Sequence, residues 1–143
     1  MNELNVGIRF CGVEHKNFFL SQTSLYDNVY KRAFFYAIGV CPTTREHVAS
    51  LYNFDNQEII PAAIDAAWQT SVSKKVTRLA FNLFTDGVPT AHRFNSNEEE
   101  MPVTGADREE ASLYSTSDIF CCEYALFFWE AVKLRYPEYA SDR

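Results

Sequence analysis

The sequence predicts an all-α fold, a compact bundle of about five to six helices with a short N-terminal strand or arm and a long acidic loop before the C-terminal helix. Three observations lead to this fold class. Apolar residues recur at helical spacing in several segments, capping residues precede these segments, and 14 of the 18 residues between Ile119 and Tyr136 are apolar. A chain of 143 residues fits one domain, which we expect to span residues 1–143.

The N-terminal elements are the least marked. Val6, Ile8 and Phe10 alternate with polar or small residues, which is compatible with a short strand or an extended arm. Residues 13–21 then fit a first short helix whose apolar contacts come from Phe18 and Phe19.

Two helices follow with clearer signals. Apolar residues between positions 30 and 38 recur at helical spacing after a candidate cap at Asp27, and Gly39 ends this second helix. Thr43 and Glu46 have the three-residue spacing of a capping box, so a third helix is expected from there to about Tyr52.

Residues 53–57 are predicted to form a polar turn that leads to two more helices. Pro61 suits the first turn of a fourth short helix that continues to Trp68. Ser71 or Ser73 can cap a fifth helix, which Asp86 and Gly87 close. The apolar stripe of the fifth helix consists of Val72, Val76, Leu79, Ala80 and Leu83.

A long acidic loop is predicted over about residues 86–115. It contains several acidic residues, including those at 98–100, two prolines and almost no periodicity. Loops of this length in a compact domain are usually functional or mobile, so this loop is a reasonable place for a partner to bind.

The C-terminal segment is predicted to form one helix with apolar residues on two faces. Glu123, Glu130 and Lys133 make a single polar stripe, and a surface helix needs only one apolar face. The helix is therefore expected to be the central element of the domain or to cover its second face with another chain. The interface candidates are Tyr124, Phe127, Phe128 and Trp129. Glu123 and Glu130 argue against a membrane span.

Charge and cysteine content narrow the function classes. The net charge is −6 and the basic residues are scattered, so direct nucleic-acid binding is not expected. The four cysteines form no CxxC pair and the first residues do not resemble a secretory leader, which predicts a cytoplasmic, reduced protein.

The chain lacks the usual catalytic signatures, including phosphate loops, dinucleotide fingerprints and nucleophile elbows. We therefore predict no catalytic residues, no metal site and no cofactor. The best polar cluster is Asn53, Asp55, Arg78 and Asn82, in which Arg78 and Asn82 are one helical turn apart and Asp55 approaches from the preceding loop. This cluster is interpreted either as a structural network or as a site for a small anionic or amide-bearing ligand.

Five blocks of the sequence resemble a known family. They are IRFCGVEHKNFF, YKRAFFYAIG, HVASLYNFDNQEI, SKKVTRLAFNLFTDG and DIFCCEYALFFWEAVKLRY. They are similar to the successive blocks of a small, uncharacterised helical family of Gram-positive bacteria and their mobile elements or phages. The resemblance implies a compact, mostly helical cytoplasmic domain, and it supplies no activity or ligand to transfer to this chain.

Three functional hypotheses remain. The leading one is a non-enzymatic protein-protein interaction module, with self-association as one form. The second is a small-ligand-binding protein or hydrolase that uses Asp55, Arg78 and Asn82. The third is an acidic decoy that occupies a nucleic-acid-binding protein.

Overall fold

A computed structural model describes residues 7–24, 27–89 and 102–140 and confirms a mostly helical fold. The α-helices are α1 Val13–Gln22, α2 Val29–Gly39, α3 Pro42–Glu46, α4 Val48–Leu51, α5 Ser71–Thr85, α6 Gly105–Ser112, α7 Thr116–Ile119, α8 Ala125–Arg135 and α9 Pro137–Ala140. A 3₁₀ helix covers Pro61–Asp65, and β1 Tyr52–Asn53 pairs antiparallel with β2 Glu58–Ile59.

Helix α2 lies at the centre of the fold. It packs against α1, α5 and α8, and every residue from 31 to 39 is buried. Residues 33–38 are six consecutive apolar residues, and a helix that is apolar all round is buried in a core. The central element is therefore α2, whereas the sequence had suggested the C-terminal helix.

The start of α2 differs by one residue from the prediction. The side chain of Asn28, rather than Asp27, accepts a hydrogen bond from the backbone N–H of Lys31 at 2.9 Å. Asp27 instead pairs with Arg32 at 3.0 Å.

Gly39 ends α2 as predicted, and its position also allows α1 to approach closely. A Cβ atom added there would lie 2.7 Å from Cδ1 of Phe18 and 3.0 Å from Cδ2 of His15. Contacts this short do not occur between ordinary side chains, so the crossing of α1 and α2 depends on the missing side chain.

The predicted third helix is two short helices, α3 and α4, that meet at His47. Nδ1 of His47 lies 2.7 Å from the carbonyl oxygen of Thr43, and its ring stacks on Trp68 with 4.2 Å between ring centroids. The expected Thr43 cap is absent, because Cys41 precedes α3 and makes no side-chain capping bond.

The predicted polar turn at residues 53–57 is the turn of the β-hairpin. Its geometry is fixed by the side chain of Asn53, which accepts the backbone N–H of Asp55 at 2.9 Å. The fourth helix is shorter than predicted, since Pro61 begins a 3₁₀ turn that ends at Asp65.

Helix α5 matches its prediction most closely. The cap is Thr70 rather than Ser71 or Ser73, and Ser73 completes a reciprocal capping box with it. Asp86 closes the helix in the left-handed conformation with φ of 60°. Val76, Leu79 and Leu83 are buried, as the apolar stripe predicted. A strongly amphipathic pattern therefore fixed both the type and the orientation of this element.

The predicted acidic loop is partly helical. Thr104 and Asp107 form a capping box that starts α6. Residues 90–101, which include the acidic run at 98–100, lie outside the described residues.

The C-terminal segment is interrupted, although one continuous helix was expected. Helix α7 ends at Ile119, a turn follows, and α8 begins at Ala125. Nζ of Lys75 donates to the carbonyl oxygen of Asp118 at the end of α7, and the ring of Phe120 packs edge-on against Phe128 at 5.6 Å. These contacts hold a turn that no glycine or proline marks.

The described part of the N-terminal segment is an arm rather than a strand. Phe10 lies in it and packs its ring against His15 at 5.2 Å, Phe19 at 5.6 Å and Tyr36 at 5.8 Å. Val6 lies outside the described residues.

Candidate functional site

The most prominent surface feature is an apolar face on the last two helices. Leu126 and Trp129 on α8 are each 54% exposed, and Tyr136 and Tyr139 are 37% and 85% exposed. We call these four residues the C-terminal aromatic face. A shallow groove of about 460 Å³ lies beside it, lined by Trp129, Val132, Lys133, Tyr136, Tyr139 and Ala140.

The opposite side of α8 is anchored in the fold. Phe128 and Ala131 are fully buried, and Arg135 reaches the end of α5. The guanidinium of Arg135 donates to both carboxylate oxygens of Asp86 at 2.7 and 2.8 Å and to the carbonyl oxygen of Leu83 at 3.1 Å. It also lies over the ring of Tyr30, 3.9 Å from the centroid. Nη2 alone contacts both carboxylate oxygens and Nε donates to Leu83, so two nitrogens of the guanidinium fix the end of α8 against the end of α5.

The four predicted interface residues occupy different environments. Tyr124 and Phe127 are half-buried and Trp129 is exposed. Phe128 is 0% exposed and belongs to the core. The expectation that it lies at an exposed interface is therefore wrong. Sequence spacing identified two apolar faces of α8 without showing which one the rest of the chain covers.

The predicted polar cluster does not form as one network. Arg78 donates from Nε and Nη2 to the two carboxylate oxygens of Glu110, at 2.7 and 2.8 Å. Asn82 donates to the carbonyl oxygen of Gly87. Asn53 accepts the backbone N–H of Asp55 within the hairpin turn. The hydrogen bonds of the described residues therefore tie Arg78 to α6 rather than to the β-hairpin.

A polar cavity of about 250 Å³ adjoins this ion pair. Its lining includes Asp65, Lys74 and Glu109 together with Arg78 and Glu110. Hydrogen bonding to Glu110 is the main cause that raises the pKa of Arg78, and both side chains are largely buried. The pair thus fastens α6 to α5, and a ligand-binding role for Arg78 stays a prediction.

A protein-family model matches almost the whole chain. A model described as a family of unknown function, DUF6075, matches residues 5–143. The chain belongs to this family. Neither the curated proteins nor the solved structures contain a match. Membership of DUF6075 confirms the resemblance to a family of unknown function, while the bacterial and mobile-element origin stays an expectation.

The DUF6075 match supplies no activity, so the chemistry rests on the residues themselves. His15 is buried, with Nδ1 accepting the backbone N–H of Cys11 at 3.0 Å and Nε2 donating to the carbonyl oxygen of Tyr36 at 2.8 Å. Both ring nitrogens are engaged with the backbone, so His15 is not placed as a base for the exposed thiol of Cys11.

Within residues 7–24, 27–89 and 102–140, no group of three His, Cys, Asp or Glu side chains is arranged to hold a metal ion. Over the same residues, no helix combines the length and apolar character that crossing a bilayer requires.

Replacement of Arg78 with methionine is expected to lower the free energy of unfolding by about 2 kcal/mol, because it strands the carboxylate of Glu110 in a largely dry site. Urea unfolding measures the loss. The matched control is Glu14→Gln, which breaks the exposed pair with Arg45 and should change stability by less than about 0.5 kcal/mol. A double variant, Arg78→Met with Glu110→Leu, should recover most of the loss, and failure to recover it would show that the stranded charge is not the cause.

Proposed function

We propose that the chain is a non-enzymatic interaction module that pairs with a second copy of itself through the C-terminal aromatic face. The observation that carries the proposal is the exposure of Leu126 and Trp129 one turn apart on α8, together with a groove that Trp129 shares with the exposed Tyr139. Apolar residues grouped in this way on a surface are typical of interaction sites, and aromatic residues dominate interface energetics.

The charges around this face favour a second copy as the occupant. Lys133, on the exposed side of α8, lies 3.9 Å from Glu130, so the face itself carries balanced charge although the chain has a net charge of −6. Glu123 precedes α8 and Lys133 lies near its end. In an antiparallel two-fold pairing, Glu123 of one copy approaches Lys133 of the other, and Trp129 lies near the symmetry axis.

The anchoring of α8 supports the same proposal. Because Phe128, Ala131 and Arg135 are buried, the backbone that carries the exposed side chains is already ordered before a partner binds. The face is thus suited to a stable contact rather than one that requires refolding.

Replacement of Trp129 with aspartate is expected to convert the dimer into a monomer, with self-affinity at least roughly 30-fold weaker, because a central aromatic residue is replaced by a charge. Light scattering coupled to size exclusion, over a range of concentrations, measures the mass. Val103→Asp is the matched control, since Val103 is also an exposed apolar residue and the charge change is the same.

The proposal requires the wild-type mass to rise with concentration, Val103→Asp to follow it, and Trp129→Asp to stay monomeric. A wild-type chain that is monomeric at every concentration contradicts the proposal. Loss of dimerisation in both variants would show a charge effect rather than a specific interface.

The two alternative functions have less support. The pairing of Arg78 with Glu110 leaves the expected ligand cluster divided, and the acidic run at 98–100 lies outside the described residues. Both the ligand-binding or hydrolase hypothesis at Asp55, Arg78 and Asn82 and the acidic decoy therefore stay predictions from the sequence, as does cytoplasmic location.

A further inference from the structure

A second groove, remote in sequence from the C-terminal aromatic face, lies between the end of α1 and the β-hairpin. Its volume is about 230 Å³, and its lining includes Gln22 of α1, Lys31 and Phe35 of α2, and Tyr52 and Phe54 of the hairpin. It brings together aromatic rings, an amide and an ammonium group in a space that fits a single small ring.

The hydroxyl group of Tyr52 is the feature that points to a ligand. Tyr52 is 2% exposed, and among the described residues its hydroxyl is the buried side-chain group for which no hydrogen-bond partner is found. Buried polar groups are nearly always paired, because leaving one unpaired opposes folding. Burial also raises the pKa of this hydroxyl, which keeps it protonated and able to donate.

Aromatic side chains form one wall of the groove. Phe54 is 49% exposed, and its ring stacks on Phe35 with 6.1 Å between centroids and 15° between planes. The ring of Tyr52 meets Phe54 edge-on at 5.0 Å. An exposed ring held in this way by two others offers a fixed aromatic surface on which a planar molecule can pack.

The polar end of the groove is formed by Lys31 and Gln57. Nζ of Lys31 donates to Oε1 of Gln57. Gln57 has a φ of 57°, a left-handed conformation that is uncommon for residues other than glycine and that often occurs at binding sites. Lys31 places a positive charge at this end of the groove.

We infer that this groove binds a small single-ring aromatic acid. The ring packs against Phe54 and Tyr52, and the carboxylate lies toward Lys31 and accepts a hydrogen bond from the hydroxyl of Tyr52. Because this hydroxyl is covered in the structure, binding requires a side chain at the rim to move, and the exposed Gln57 is the lining residue assigned that movement. The site is independent of the proposed self-association.

The test is a calorimetric and NMR titration of the full chain with benzoate. We expect a dissociation constant of roughly 10 mM or lower, in keeping with a ligand of about nine non-hydrogen atoms. Cyclohexanecarboxylate, with the same charge and no aromatic ring, and benzyl alcohol, with the ring and no charge, should each bind at least roughly tenfold more weakly, since each lacks one of the inferred contacts.

Variants separate this site from surface binding. Tyr52→Phe and Lys31→Gln should each weaken benzoate binding at least roughly tenfold. Tyr139→Phe, which removes the hydroxyl group of an exposed tyrosine on α9, is the matched control and should bind benzoate as the wild type does. The melting temperature of Tyr52→Phe should equal or exceed that of the wild type, because removal of the hydroxyl breaks no hydrogen bond.

Several results would overturn the inference. These are no benzoate binding at concentrations several times the expected constant, equal binding of either comparison probe, or undiminished binding by Tyr52→Phe. A lower melting temperature of Tyr52→Phe would show that the hydroxyl already has a partner and would remove the basis of the site.

Discussion

Truncation of Phe128 to alanine is expected to lower the free energy of unfolding by about 3 to 5 kcal/mol. The side chain is 0% exposed, and its ring packs edge-on against Phe120 where α7 and α8 meet. Removing the ring forfeits apolar burial and leaves a cavity that the packed core closes only in part. Urea unfolding followed by circular dichroism measures the change.

The neighbouring residue provides the control. Trp129 lies one position further along α8 but is half-exposed, so Trp129→Ala should cost less than about 1 kcal/mol when unfolding is measured at a protein concentration at which both proteins are monomeric. If the Trp129 variant were the less stable of the two, α8 would be rotated by about 100° so that Trp129 faces the core. The comparison therefore tests the rotation of α8 about its own axis.

Acidification from pH 7 to pH 4 is expected to lower the free energy of unfolding by up to about 3 kcal/mol through His15 alone. Burial is the main cause that lowers the pKa of His15 from 6.5 to about 4, the charge of Arg45 lowers it further, and the hydrogen bond to Tyr36 opposes both. Protonation of Nδ1 would also direct a second N–H at the backbone N–H of Cys11.

Stability falls on acidification because the unfolded chain takes up a proton at His15 at a higher pH than the folded chain does. As the pH falls below 6.5, the unfolded chain binds a proton at His15 while the folded chain remains neutral. The stabilisation is complete above pH 6.5 and is lost progressively as the pH approaches 4.

Comparison with His15→Gln isolates this contribution. Carboxylates titrate over the same range in both proteins, so the difference between their pH profiles reports His15. The wild type should lose more stability on acidification than the variant. NMR signals of the ring should stay in the neutral form above about pH 5. A folded-state titration near pH 6.5 would contradict the buried position of the ring.

The sequence predicted those parts of the fold in which local pattern and tertiary environment agree. Helix α5 has one apolar stripe and strong end signals, so its location and buried face were both predictable. Helix α8 is apolar on several sides, and periodicity cannot show which side the chain covers. The break before α8 is marked by no glycine or proline. It depends on the hydrogen bond from Lys75 to Asp118, which are distant in sequence, and on the packing of Phe120 against Phe128.

The candidate sites were less predictable than the fold. Glu110 was placed in a loop, although the three-residue spacing of Thr104 and Asp107 is a helix-start signal that would have located α6 and turned attention to its acidic side chains. No comparable signal marks Tyr52. Its unpaired hydroxyl results from the way in which the hairpin closes against α2.

The close crossing of α1 and α2 at Gly39 has a consequence for how DUF6075 sequences can diverge. A methyl group at position 39 would collide with Phe18 and His15, and His15 is fixed by two backbone hydrogen bonds. A larger residue at 39 is therefore acceptable only together with smaller ones at 15 and 18. We therefore expect changes at these three positions to be coupled, so that the close approach of the first two helices limits which substitutions position 39 accepts alone.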